Sequence, residues 1–158
     1  SKLNKSLLLL SKIDNSQFAS VEKVCLNEIL YRYLDDYQEV YDYKGITLDV
    51  HEKNTFNITM NGTLAVVLIT NLLKNAFVHN IYKGKIQIEI TSSNIRFGNT
   101  GKDEHLDEKH IFERFYQGSK KEGSTGLGLA IVDAICRQSQ LSIQYQFVKG
   151  WHWFDISC

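Results

Sequence analysis

No stretch of this chain is apolar for long enough to cross a bilayer. The longest runs, LLLL at 7–10 and LAVVLI at 64–69, fall far short of the roughly 20 residues that a spanning helix needs. The start also lacks the charged, apolar and small-residue segments of a secretion signal. Cysteine is scarce: Cys25, Cys136 and Cys158 are odd in number, widely scattered and never in a Cys-x-x-Cys pair, which excludes a disulfide framework and a cysteine zinc site and fits a reducing compartment. Charge of one sign is absent too. Eighteen Lys and Arg balance eighteen Asp and Glu, so no long-range field draws in nucleic acid or an anionic membrane. What remains, 158 residues with 43% hydrophobic and 23% charged composition, suits one soluble domain plus an appended element. Ser1 opens the chain without a methionine inside a helical pattern, so the sequence reads as a piece of a longer protein.

Residues 2–18 repeat apolar side chains at helical spacing through Leu3, Leu7, Leu10 and Ile13, with Leu8 and Leu9 widening the stripe. Two readings stand: a terminal helix packed on its own domain, or the stump of a helical dimerisation hairpin. Residues 20–26 alternate as a strand. Asn27 can then cap a helix from Glu28 to about Lys44, stopped by Gly45. Residues 46–51 and 55–60 alternate around a short EKN link and read as a hairpin. Asn61 or Thr63 can cap a second long helix reaching about Asn80, followed by strands at 85–92 and 94–98. Periodicity then disappears from 99 to 125 except for IFERF, and a connection of that length reads as a lid. A glycine-started helix at 126–140 and a hairpin at 141–157 around Lys149 and Gly150 complete the chain. Helices alternating with hairpin-linked strands predict a mixed sheet with helices on one face, an α/β two-layer sandwich preceded by an N-terminal helix.

Two features look chemical. Asn71, Asn75 and His79 advance by four on the second long helix and form one polar stripe among Leu, Val, Ile and Phe. The stripe faces either solvent or a polar ligand. The segment GSTGLGLAIV sets Gly123, Gly126 and Gly128 around a helix start, where backbone can approach a ligand and free N–H groups favour phosphate.

Taken in order, Asn71-Leu-Leu-Lys-Asn75-Ala, Phe97-Gly-Asn-Thr-Gly101, Ile111-Phe-Glu-Arg-Phe115-Tyr and Gly126-Leu-Gly-Leu129 resemble the asparagine, first glycine, phenylalanine and second glycine boxes of sensor histidine kinases. The resemblance covers about residues 20–158. Residues 1–19 resemble the end of the dimerisation hairpin that precedes the ATP domain in that family. It implies a Bergerat-type ATP site with ATP between the asparagine helix and the lid and Mg²⁺ on its phosphates. Asn75 would offer its oxygen to Mg²⁺, Asn71 would stand one turn away, and His79 would lie near the phosphates. Gly126 and Gly128 would give the phosphate-facing backbone, Leu127 and Gly101 would be further nucleotide-binding positions, and Phe112 and Phe115 would anchor the lid. The family further implies a homodimer, a response regulator as partner, no nucleic acid, membrane attachment only through other segments, and a cytoplasmic location.

This chain departs from the family in three places. Asn99 stands where an aspartate usually reads adenine; an amide can still accept from the amino group and donate to a ring nitrogen, at a cost on the order of 1 kcal/mol for the lost charge. Asp103 replaces the second glycine of that box, and Val78 replaces a basic residue facing phosphate, a charge that Arg114, Lys120 or Lys121 could supply. Related ATPases usually carry a glutamate where Asn71 stands, and an amide cannot serve as general base for water. None of His51, His79, His105, His110 or His152 has the setting of a family phosphoacceptor, which sits on the first dimerisation helix and is usually followed by an acidic residue. The reading is therefore kinase over hydrolase, with the acceptor histidine on another segment. A degenerate nucleotide-binding scaffold and a serine kinase of the anti-sigma type are the alternatives.

Overall fold

The computed structural model describes residues 2–102, 106–107, 109–114 and 127–158. Four helices and seven strands follow in the order α1 (Lys2–Asp14), β1 (Glu22–Cys25), α2 (Leu26–Val40), β2 (Thr47–Glu52), β3 (Asn57–Met60), α3 (Gly62–Val78), β4 (Lys85–Ile90), β5 (Asn94–Thr100), α4 (Gly128–Gln138), β6 (Ser142–Val148) and β7 (Trp151–Ser157). β2, β4, β5, β7 and β6 form a five-stranded sheet in that order, with β2–β4 parallel and the other pairs antiparallel. One face of this sheet buries Ile86, Ile88, Ile90, Ile95, Phe97, Phe154 and Ile156 in the same core as the buried faces of α2, α3 and α4. At roughly 25 cal/mol per Å² of apolar surface removed from water, that layer is the main stabilising term. The expected two-layer α/β sandwich with a mixed sheet is thus the observed fold, and α1 precedes it, docking on α4 through Leu10 and Ile13.

Two expectations need correction. Residues 46–51 and 55–60 do not form a hairpin. β2 lies parallel to β4, while β3 pairs with β1 in a separate two-stranded sheet. Alternation tells which side chains face inward but not which strand is the neighbour; here α3 supplies the crossover that a parallel β2–β4 pair requires. Asn27, expected as a helix cap, is instead buried inside α2, whose N-cap position is Cys25. Its Nδ2 donates to Glu52 Oε2 at 2.7 Å and to the Asn54 carbonyl at 2.9 Å, and its Oδ1 accepts from Phe56 N–H at 2.8 Å. That clamp fixes the link where the chain passes from one sheet to the other.

Other local signals act as expected. Asn61 Oδ1 accepts from Leu64 N–H at 3.0 Å and caps α3. Gly45 takes the left-handed conformation (φ 63°) that ends the turn after α2. Lys149 and Gly150, both at positive φ, make the tight turn between β6 and β7. α1 ends at Asp14, short of the expected residue 18.

Candidate nucleotide site

α3 is apolar on most of its surface and buries Leu64, Ala65, Leu68, Ile69, Leu72, Leu73, Ala76 and Phe77. Asn71, Asn75 and His79 are only half-buried, so the stripe stays partly open to solvent and does not vanish into the core. Asn71 Nδ2 donates to the Val67 carbonyl at 2.8 Å, an i−4 bond that fixes the amide with Oδ1 toward the start of α4. A Cβ added at Gly128 would lie 3.3 Å from that oxygen. The first turn of α4 therefore passes directly against Asn71, and Gly128 is what permits the approach. Among the described residues no side chain caps α4, whose N-cap residue Leu127 is fully buried. The Asn75 carboxamide has no hydrogen-bond partner among the described residues.

The far end of the stripe meets the exit of β5. His79 closes α3, its N–H donating to the Asn75 carbonyl at 3.1 Å. Its own carbonyl would lie 3.0 Å from a Cβ at Gly101, and the His152 ring 3.1 Å from it, so only glycine fits there without displacement. Asn99, 2% exposed, sits two residues before this contact. Its Nδ2 donates to the Thr100 carbonyl at 2.9 Å, which holds the amide in one orientation and leaves Oδ1 as an acceptor.

Three groups that hold this end together escaped the sequence reading. Asn80 is buried; its Oδ1 accepts from Thr100 Oγ1 at 2.7 Å and from Ile81 N–H at 2.9 Å, and its Nδ2 donates to the Lys85 carbonyl at 3.0 Å. Lys44 Nζ donates to the carbonyls of Phe77 and Val78 at 2.9 and 3.0 Å, placing a cation at the negative end of α3. His152 is buried against the lid root. The only available signal was polarity beside apolar runs, and that does not reveal a partner 20 to 50 positions away.

Within the stretch expected as a lid, Ile111 is buried and Phe112 packs edge-on against Phe154 with ring centroids 6.4 Å apart. Arg114 does not stand free for phosphate: its Nη2 donates to Asp14 Oδ2 at 2.8 Å, joining the lid to the end of α1. The expectations placed on Asp103, His105, Phe115, Lys120, Lys121, Gly123 and Gly126 lie outside the described residues. Burial, with Lys2 as a lesser cause, holds the Lys74 ammonium below its usual range. Burial, with Asp133 as a lesser cause, pushes the Cys136 thiol up to about 12, so Cys136 is an inert core thiol. Among the described residues no group of three His, Cys, Asp or Glu side chains could hold a metal ion. No described helix is long and apolar enough to cross a membrane.

An α/β sandwich with a polar helix stripe facing an uncapped, glycine-started helix defines a class of ATP-binding domain. Residues 60–152 match the family described as histidine kinase-, DNA gyrase B-, and HSP90-like ATPase. The chain belongs to this family, as the ATP-binding catalytic domain of the sensor histidine kinase type. It is 34% identical over 140 residues to the heme sensor protein HssS of Staphylococcus epidermidis, a match covering 85% of this chain and 31% of that protein. The chain thus spans about a third of the length of the curated relatives it matches. Its fold superposes on the mycobacterial sensor histidine kinase MprB with TM-score 0.74 at 18% identity, covering 85% of this chain and 95% of the other. It also superposes on the cytoplasmic segment of histidine kinase QseC, with TM-score 0.74 at 15% identity, covering 98% and 87%.

Proposed function

We propose that this chain binds Mg·ATP between α3 and α4 and, in the intact protein, presents the terminal phosphate to a histidine on a dimerisation helix. The observation that carries this reading is the approach of Gly128 to Asn71 Oδ1, 3.3 Å from an added Cβ, beside a half-buried Asn75 amide without a partner among the described residues. An orphan amide oxygen fits a hard cation that takes most of its ligands from phosphates and water. When bound, Mg²⁺ would neutralise phosphate charge. Asn75 would supply its oxygen, while the α4 N–H groups after Leu127, together with Gly126, would receive the phosphates. Asn71, pinned by Val67, would keep the opposite wall polar and uncharged. Asn99 would accept from the adenine amino group through Oδ1, with Gly101 close by, His79 near the phosphates, and Phe112 and Phe115 anchoring the lid. Arg114 would reach a phosphate only after leaving Asp14.

Transfer is favoured over hydrolysis because Asn71 has no basic lone pair near neutral pH with which to activate water. The chain's own part in transfer is then positioning and electrostatic stabilisation. Residues 1–19 would be the closing part of the dimerisation hairpin, and the intact protein a cytoplasmic-facing homodimer serving a response regulator. The heme sensing named for the relatives belongs to those proteins; the signal is not carried over. Mixing the chain with labelled ATP, Mg²⁺ and a separately made acceptor hairpin tests the transfer: label on a hairpin histidine supports it, and label released only as free phosphate contradicts it. A scaffold reading without transfer draws on one observation, the engagement of Arg114 by Asp14.

A further inference from the structure

We propose that Tyr145 and His152 are positioning residues for nucleotide binding, because they brace both sides of the lid root against the sheet; the proposal rests on the nucleotide site described above. His152 Nε2 lies 2.7 Å from the Lys102 carbonyl. A carbonyl only accepts, so Nε2 carries the ring proton. In the neutral ring Nδ1 is then an acceptor, and Tyr145 Oη, 2.7 Å away, donates to it. The same Tyr145 oxygen accepts from the Leu106 N–H at 3.2 Å. Lys102 follows β5 and Leu106 lies four residues further on, and the backbone at both points bonds to one pair of side chains from β6 and β7.

The pair is built into the core. Tyr145 and His152 are 8% and 6% exposed, and their rings stack with centroids 5.9 Å apart. His152 is also the cross-strand partner of Asn99, and its ring packs against Gly101, which in turn meets the His79 carbonyl at the end of the asparagine stripe. One imidazole therefore fixes the base-reading strand, the first lid residues and the end of α3 relative to one another. A satisfied buried polar network of this kind holds a single arrangement. Without it, the nucleotide must bear the cost of ordering the lid root.

Tyr145→Phe keeps the ring and removes the oxygen. For this variant, titration calorimetry with ADP and Mg²⁺ is expected to give a Kd about fivefold weaker, the worth of one neutral hydrogen bond. Amide exchange in the nucleotide-free chain is expected to speed up at Leu106 while β6 and β7 stay protected. Ile143→Val, on the same strand and face but away from the brace, controls for lost stability and leaves Kd unchanged. His152→Gln, whose amide can still donate to Lys102, is expected to retain more affinity than His152→Leu. Unchanged Kd and unchanged Leu106 exchange in Tyr145→Phe, with the parent chain binding normally, would overturn the brace. Failure of the parent chain itself to bind ADP would instead overturn the nucleotide site.

Discussion

Asn27, Asn75 and Asn99 are the same residue type put to three uses, and what separates them is burial and partners. Asn27 spends both ends of its amide on the link between β2 and β3. Asn99 spends its NH₂ on Thr100 and keeps an oxygen. Asn75 spends neither end among the described residues. Asn27→Ala leaves the buried Phe56 N–H without its partner, and an orphaned buried group costs about 1–3 kcal/mol. We expect a loss of roughly 1–3 kcal/mol in urea unfolding with an unchanged slope; a loss below about 0.5 kcal/mol would show that the clamp is incidental. The sequence disclosed the Asn71–Asn75–His79 stripe because helical spacing alone puts those side chains in a row. It could not disclose Asn27, Asn80 or His152, whose roles depend on partners brought in by folding.

At the scale of elements, α3 and α4 were legible because each carries its own signals: a capping Asn61, a long apolar surface and a glycine start. The pairing of β2 was not, since a parallel partner is chosen by the crossover helix and not by the strand's own alternation. The lid root offers a separate electrostatic test. His110 Nδ1 lies 2.6 Å from Asp107 Oδ2. The hydrogen bond that His110 Nδ1–H donates to Asp107 Oδ2, and then the Asp107 charge, raises the His110 pKa above the ordinary 6.5, while accepting that bond lowers that of Asp107 below 3.8. For the raised histidine the stabilisation is fully present below 6.5 and is lost as pH climbs through the folded value. For the lowered aspartate it is present above 3.8 and is lost as pH falls through its folded value. The turn is therefore best held between those two ordinary values. NMR titration should find the His110 ring titrating above its ordinary value, and Asp107→Asn should bring it down. A ring indifferent to that substitution would remove the pair from the account. Arg114 and Asp14 are each about half exposed, at 48% and 53%. At that exposure the bond contributes little to stability; its interest is that it ties the segment holding Arg114 to the end of α1.

For the whole molecule, the sheet and three helices form a frame that sets α4 against Asn71 and the exit of β5 against the end of α3, while α1 docks on α4. The sandwich architecture was legible from the alternation of helices and strands, and the order of the four motifs identified the family. The separate β1–β3 sheet and the engagement of Arg114 by α1 belong to the folded chain alone. The central claim is that the asparagine stripe and the α4 start hold a magnesium-bound nucleotide between them. Titration calorimetry of the parent chain and of Asn75→Ala with ATP, each with Mg²⁺ and with EDTA, tests it most directly. The account predicts that Mg²⁺ tightens binding to the parent chain, and that Asn75→Ala weakens Mg·ATP by about tenfold or more, 1.4 kcal/mol, with an unchanged melting temperature in the absence of nucleotide. Equal ATP affinity in the two proteins, insensitive to Mg²⁺, would contradict it.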